Sequence, residues 1–290
     1  MIKLLANEFK PYGLVGILFI IIAIIIAMLS FYVGKRLRGR EKSFNILILT
    51  TSIIFIVLEI FHEVERYIEL GGYDWSSFPF QFCTTTLYLG LLFPLLKKGK
   101  IRESILMFFC TFTFLSGILP IIFAQGNLFR WPSVIQVLFS FTWHVLLFFV
   151  GGTSIGYFNI GKSYSRDRSK LYGAIVVFVL LTCVAQVLNV LIHYFGPGWE
   201  VGSDIIKEAG WIEEYYFDPD SVSLFYISPY FKSNITIIFG TVWVKFGWFA
   251  NWILYDIIFI FGAYVVYFST MGIRKIMDKI RHIEPQYDMR

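Results

Sequence analysis

The chain has 290 residues, 57% of them hydrophobic and 20% aromatic, with only 16% charged and a formal net charge of +5. A soluble domain is about 45–50% apolar and about 25% charged, so this composition excludes an ordinary water-soluble globular protein and points to an integral membrane protein. The 32 Phe, 8 Trp and 17 Tyr suit extensive lipid contact with aromatic belts at both interfaces.

The first ten residues, MIKLLANEFK, lack a small-residue cleavage site, so no removable signal peptide is expected. A spanning helix needs about 20 apolar residues. Seven segments qualify, roughly residues 12–33, 45–61, 80–96, 103–123, 133–155, 171–195 and 249–270. The connections alternate in charge. Lys35, Arg36, Arg38, Arg40 and Lys42 follow the first span, and Lys97, Lys98, Lys100 and Arg102 follow the third. Lys162, Arg166, Arg168 and Lys170 follow the fifth, and Arg274, Lys275, Lys279 and Arg281 the last. The connections after the second and fourth spans are poor in base. The long one after the sixth, about 196–221, carries seven acids against Lys207 alone. Because positive residues stay on the cytoplasmic side, the N-terminus is expected outside and the C-terminus inside. The expected fold is therefore all-α, a polytopic membrane helical bundle of seven transmembrane helices forming a single domain over residues 1–290. Residues 233–248 are apolar but contain Lys245 and two glycines, and an eighth span there would break the charge alternation. They read as an outer approach to the last helix or as an interfacial piece. No internal repeat is evident, which weighs against an inverted-repeat transporter.

Polar side chains inside spans are costly and usually face the bundle interior or a cavity. Glu59, His62, Glu63 and Arg66 fall at i, i+3, i+4 and i+7, on one face of the outer end of the second span. They form either a polar mouth or metal-binding cluster, or an ion-pair group at the membrane surface. No metal ligand set is assigned and no cofactor is expected. The third span opens with Phe78-Pro79-Phe80-Gln81-Phe82-Cys83, followed by three threonines at 84–86. Gln81 and Thr85 share a helix face, whereas Cys83 sits about 160–200° round from both unless the chain near Pro79 is irregular. His144 is the only histidine in the middle of a span. Gln186, Asn189 and His193 polarise the outer half of the sixth span, and Asp256 lies deep in the last with Asn251 as one potential partner. All three cysteines (Cys83, Cys110 and Cys183) lie in apolar segments, which argues against a disulfide framework.

A thiol and an imidazole can act as nucleophile and base, and Cys83 with His144 is one such pairing. At 1.5 Å per residue, Cys83 lies about 12 Å deep if the third helix begins near Trp75, and His144 about 13 Å deep if the fifth begins near Ile135. Helices beginning at Phe80 and Trp131 instead separate the two by about 15 Å in depth. No phosphate-binding loop, G-x-G-x-x-G turn or H-E-x-x-H helix occurs, so ATPase, dinucleotide and zincin chemistry find no support, and no nucleic-acid partner is expected.

These motifs resemble those of the YwaF family of bacterial integral membrane proteins over about residues 45–270. The segment ending in Cys83 is similar to a family Pro-Leu-His-x-Cys pattern, joined by His144, Asn189 and the aromatic-Pro stretch Phe225-Tyr226-Ile227-Ser228-Pro229. That family is in turn similar to a eukaryotic membrane acyltransferase that moves acyl chains between phospholipids with a Cys and a His. More distantly, it is similar to androgen-induced membrane hydrolases that use Thr and His. The resemblance implies a multi-pass protein of the bacterial plasma membrane, a lipid acyltransferase or acyl hydrolase acting on phospholipid or lysophospholipid chains. It implies Cys83 as nucleophile and His144 as base, 61 positions apart in this chain. Gln81, Thr84, Asn189 and Tyr226 are then the candidate substrate-binding or oxyanion groups, and Glu59 and His62 line the polar outer mouth. This chain departs from the pattern at Gln81, where the family's histidine is expected. Two other readings stand beside this one. The first is a transporter or channel for a small molecule or cation, with a polar path through Glu59, His144, Asn189 and Asp256. The second is a non-catalytic structural membrane protein.

Overall fold

The computed structural model describes residues 11–70, 78–123, 134–195, 224–227 and 242–280. Among them the regular elements are all helical: α1 (Leu14–Arg36), α2 (Glu41–Leu70), α3 (Thr85–Leu92), α4 (Lys100–Phe123), α5 (Val134–Phe158), α6 (Tyr164–Phe195) and α7 (Val242–Ile280). Six of these are long and apolar enough to cross a bilayer, so the protein is multi-pass and membrane-embedded. The third expected span is the exception. It is helical only from Thr85, and with a short 3₁₀ turn it reaches Leu95. Eleven residues rise about 16 Å, roughly half the hydrocarbon thickness. The last helix runs longer than expected and takes in 242–248, so those residues form its first turns rather than a separate interfacial piece. The acidic connection at 196–221 and the stretch 233–241 lie outside the described residues.

The chain divides into two compact units. One comprises Met1–Ile56, Thr86–Phe178 and Ile260–Arg290, the other Val57–Thr85 and Val179–Phe259. In the first unit α1 and α5 pack backbone to backbone. A methyl group placed on Gly152 would strike the Ser30 hydroxyl, one on Gly34 the Thr153 carbonyl, and one on Gly156 the Phe31 carbonyl. Apolar surface gives little driving force between helices in lipid, so this close approach supplies the adhesion through van der Waals contact. Ala23, Ile121 and Phe148 close the core beside it. Helix α4 carries two π-helical segments, Phe109–Thr113 and Leu119–Phe123. Pro120 in the second lacks an N–H and cannot join an α-helical ladder.

The basic side of this unit is held by charge-assisted bonds. Buried Arg102 donates to the carbonyls of Phe93 and Leu96 (both 3.0 Å) and to Asn45 Oδ1 (2.6 Å), and pairs with Glu41 at 3.3 Å. Buried Asp167 accepts from the Gly161 amide (2.8 Å), from Arg166 Nε (2.9 Å) and from the Tyr267 hydroxyl (3.3 Å). Several of the loop cations that suggested the topology are therefore structural pins, while Lys98, bound to Glu41 at 2.7 Å, stays exposed.

Candidate functional site

The candidate site begins just before α3. Residues 78–84 are not helical, so the irregularity near Pro79 that the sequence left open is present. Cys83 therefore precedes the first helical residue by two positions, and a depth reckoned from helical rise does not apply to it. The local cause is a side-chain ring. The Thr84 hydroxyl accepts from the Gln81 amide (2.8 Å) and donates to the Gln81 carbonyl (2.9 Å), which also accepts from the Thr84 and Thr85 amides. Side-chain bonds of this kind compete with helical ones and set where the helix begins. The Thr85 hydroxyl donates to Phe82 O at 2.8 Å. In the first unit, the Thr86 hydroxyl meets that of Thr113 at 2.8 Å. All three hydroxyls of the polar run are thus buried and engaged. Cys83 is partly exposed, and Cys83, Cys110 and Cys183 form no disulfide among the described residues.

The Gln81 side chain does something different. Its Oε1 accepts the Phe225 amide at 2.9 Å, joining positions 144 apart in sequence. Phe225 stands in the short turn Leu224–Tyr226 with φ 56° and ψ 14°, a left-handed conformation that costs a non-glycine residue roughly 1–2 kcal/mol. Two further amides hold that turn from α6. Asn189 Oδ1 accepts the Leu224 amide (2.9 Å) while its Nδ2 donates to the Leu224 carbonyl (3.3 Å). Gln186 Nε2 donates to the Ile227 carbonyl at 2.5 Å. Non-helical backbone at membrane depth must find its hydrogen bonds within the protein, and here three side-chain amides provide them. The Phe225 ring packs among Phe80, Phe82 and Tyr255, with centroids 5.8–6.3 Å apart. The sequence singled out Gln81, Asn189 and the aromatic-Pro stretch, yet gave no sign that they meet. Gln186, on the polar outer half of the sixth span, completes the group. Tyr226 lies in the turn, but its side chain falls outside the described residues.

With Oε1 occupied, the Gln81 NH₂ group is the part of the amide left to donate, and among the described residues it carries no hydrogen bond. Asn189 is bound to the Leu224 backbone through both of its ends, which suits a scaffold more than a transport path. Asp256 accepts from the Thr182 hydroxyl of α6 at 3.3 Å, and Trp252 Nε1 donates to the same hydroxyl at 3.1 Å. Its other oxygen, Oδ1, is buried with no hydrogen bond among the described residues.

In the first unit His144 stands ten residues into α5. Its Nδ1 lies 2.7 Å from the Ser140 carbonyl. A carbonyl only accepts, so Nδ1 carries the proton and Nε2 presents a lone pair. Among the described residues Nε2 makes no hydrogen bond. In the second unit Glu59, His62 and Glu63 cluster as their helical spacing implied, with one potential ligand atom from each within 4.8 Å of the others.

The family model of the TMEM164 family matches residues 10–203, about two thirds of the chain. The chain belongs to the TMEM164 family. Within this TMEM164-family chain the matched stretch includes Glu59, Gln81, Cys83, His144 and Asn189, while Phe225, Tyr226 and Asp256 lie beyond it. No curated protein and no solved structure matches the chain.

Proposed function

We propose that this TMEM164-family protein is a membrane-embedded lipid acyltransferase or acyl hydrolase, with Cys83 as nucleophile and His144 as base. The observation that carries the reading is the imidazole of His144. Its hydrogen bond to the Ser140 carbonyl fixes the tautomer in which Nε2 accepts a proton, the form that a general base needs. Partial exposure of Cys83 on a non-helical segment supports the second role, as does the resemblance to YwaF proteins and to the Cys/His acyltransferase. The substrates are phospholipid or lysophospholipid acyl chains drawn from the surrounding bilayer, that of a bacterial plasma membrane. The chain crosses this membrane seven times, with α3 and the residues before it forming the third crossing, the N-terminus outside and the C-terminus in the cytoplasm.

In the proposed reaction His144 Nε2 takes the thiol proton, and the thiolate attacks the carbonyl carbon of an acyl ester. A carbon–sulfur bond forms, and the carbon–oxygen bond to the glycerol oxygen breaks. The leaving alkoxide recovers the proton from the imidazolium. The Cys83 thioester is then opened by a lysophospholipid hydroxyl or by water, whose proton passes to His144 and on to the departing sulfur. The Gln81 NH₂ group is the best placed donor for the oxyanion, since it precedes the nucleophile by two residues and its orientation is fixed through Oε1. Thr84 and Asn189 hold these parts in place, their polar groups being engaged by backbone.

The decisive experiment labels the purified full chain with an acyl-chain thiol-reactive probe. Labelling is expected at Cys83, absent in Cys83→Ala, and slower by about 10²–10⁴-fold in His144→Ala. A native protein that takes no label at Cys83 rejects the nucleophile, and labelling undiminished in His144→Ala rejects the base.

A further inference from the structure

The second unit holds a group of side chains that acyl transfer does not use. Glu59, His62 and Glu63 bring two carboxylate oxygens and an imidazole nitrogen within 4.8 Å of one another on one face of α2. Glu59 is only 9% exposed. Among the described residues its carboxylate has no hydrogen bond and no ion pair, and a neighbouring charge acting on it is Glu63, of the same sign. Two like charges in a dry place are strongly unfavourable unless protonation or a cation neutralises them. A divalent ion held by Glu59 and Glu63 neutralises that repulsion.

We propose that Glu59, His62 and Glu63 form a binding site for a divalent transition-metal cation, with Zn²⁺ as its best match. An imidazole with two carboxylates is a borderline N/O ligand set that suits Zn²⁺ better than Ca²⁺ or Mg²⁺. Three protein ligands leave a coordination position open for water. Glu59-x-x-His62 also has the i, i+3 spacing by which helical bundles present a carboxylate and an imidazole to one ion. Ligands each about 2.1 Å from a common ion lie within about 4.2 Å of one another, so the cluster closes on a metal by small rotations of its side chains. The site lies in the same unit as Cys83, and the Glu59 carboxylate is within electrostatic range of that sulfur. A cation here brings positive charge to the neighbourhood of the thiol.

The test takes the full chain in detergent, strips it with a chelator, loads it with Zn²⁺ and removes the excess by gel filtration. About one Zn²⁺ per chain is expected by mass spectrometry of the metal. Affinity is expected to fall at least tenfold in Glu59→Gln and in His62→Ala, while His193→Ala retains the native value. Co²⁺ loaded into the native protein is expected to show the intense visible bands of a four- or five-coordinate site. Zinc far below one ion per chain overturns the proposal, as does equal retention in native protein and both variants, or a Co²⁺ spectrum of the fully hydrated ion. The Co²⁺ spectrum of the native protein decides the matter even if a variant does not fold. None of these readings depends on acyl-transfer activity, so failure of the one proposal is distinguishable from failure of the other.

Discussion

At the residue scale the amides are the instructive side chains. Gln81, Gln186 and Asn189 are each expensive in hydrocarbon, and each is bound to backbone of residues 224–227. Asn189 is the most exacting, because it both accepts from and donates to Leu224. Asn189→Leu leaves the buried Leu224 amide unpaired, while the Leu224 carbonyl keeps the Ile227 amide as a donor. The expected outcome is a loss of about 1–3 kcal/mol in stability, read as a lower midpoint of thermal unfolding in detergent. A melting curve unchanged by this substitution means that the turn finds its bonds elsewhere. The hydroxyls of 84–86 teach a related lesson. A threonine facing lipid and a threonine bonded to a carbonyl a turn away look the same in sequence, and only the backbone path separates them.

At the element scale the glycines of α5 matter most. Gly152 and Gly156 are four apart, the small-xxx-small spacing that lets two membrane helices touch along their backbones. The sequence Gly152-Thr153-Ser154-Ile155-Gly156 carries that signal in its two end residues. Gly156→Val places side-chain carbons where the Phe31 carbonyl already lies, and overpacking of this kind costs about 1–3 kcal/mol or more. The yield of monodisperse protein on gel filtration is expected to drop sharply. Gly272→Ala, where a methyl group meets nothing within 4 Å, is expected to behave as native. Arg102 gives a second test at this scale. Its fork reaches Phe93, Leu96 and Asn45 together, a geometry that a lysine's single ammonium cannot reproduce. Arg102→Lys is expected to lower the midpoint of thermal unfolding, and Lys98→Gln, at an exposed pair, to leave it within error.

At the scale of the whole molecule the charge pattern along the chain governs how it sits in the bilayer. The proposed orientation predicts that a single cysteine at position 207, in a chain otherwise free of cysteine, reacts with an impermeant maleimide from outside intact cells. One at position 162 is expected to react only after lysis. The reverse pattern inverts the topology and places the acidic connection in the cytoplasm. Composition and apolar runs were sufficient to foresee an all-helical membrane protein and the middle of each long helix, because burial in lipid depends on each segment's own hydrophobicity. The second and last helices run on past their apolar runs, to Leu70 and Ile280. Where α3 begins was another matter. The apolar run starts at Phe80, but the Thr84 ring holds the chain out of the helix until Thr85, and hydropathy does not register such bonds. Likewise Glu59, His62 and Glu63 were legible as one face because they lie on a single turn-and-a-half of helix. The binding of Gln81 to Phe225 spans 144 positions, and no local rule reaches so far. Solvent preference acts residue by residue and is written in the sequence, whereas the partner of a buried amide is chosen by whichever backbone the fold brings beside it.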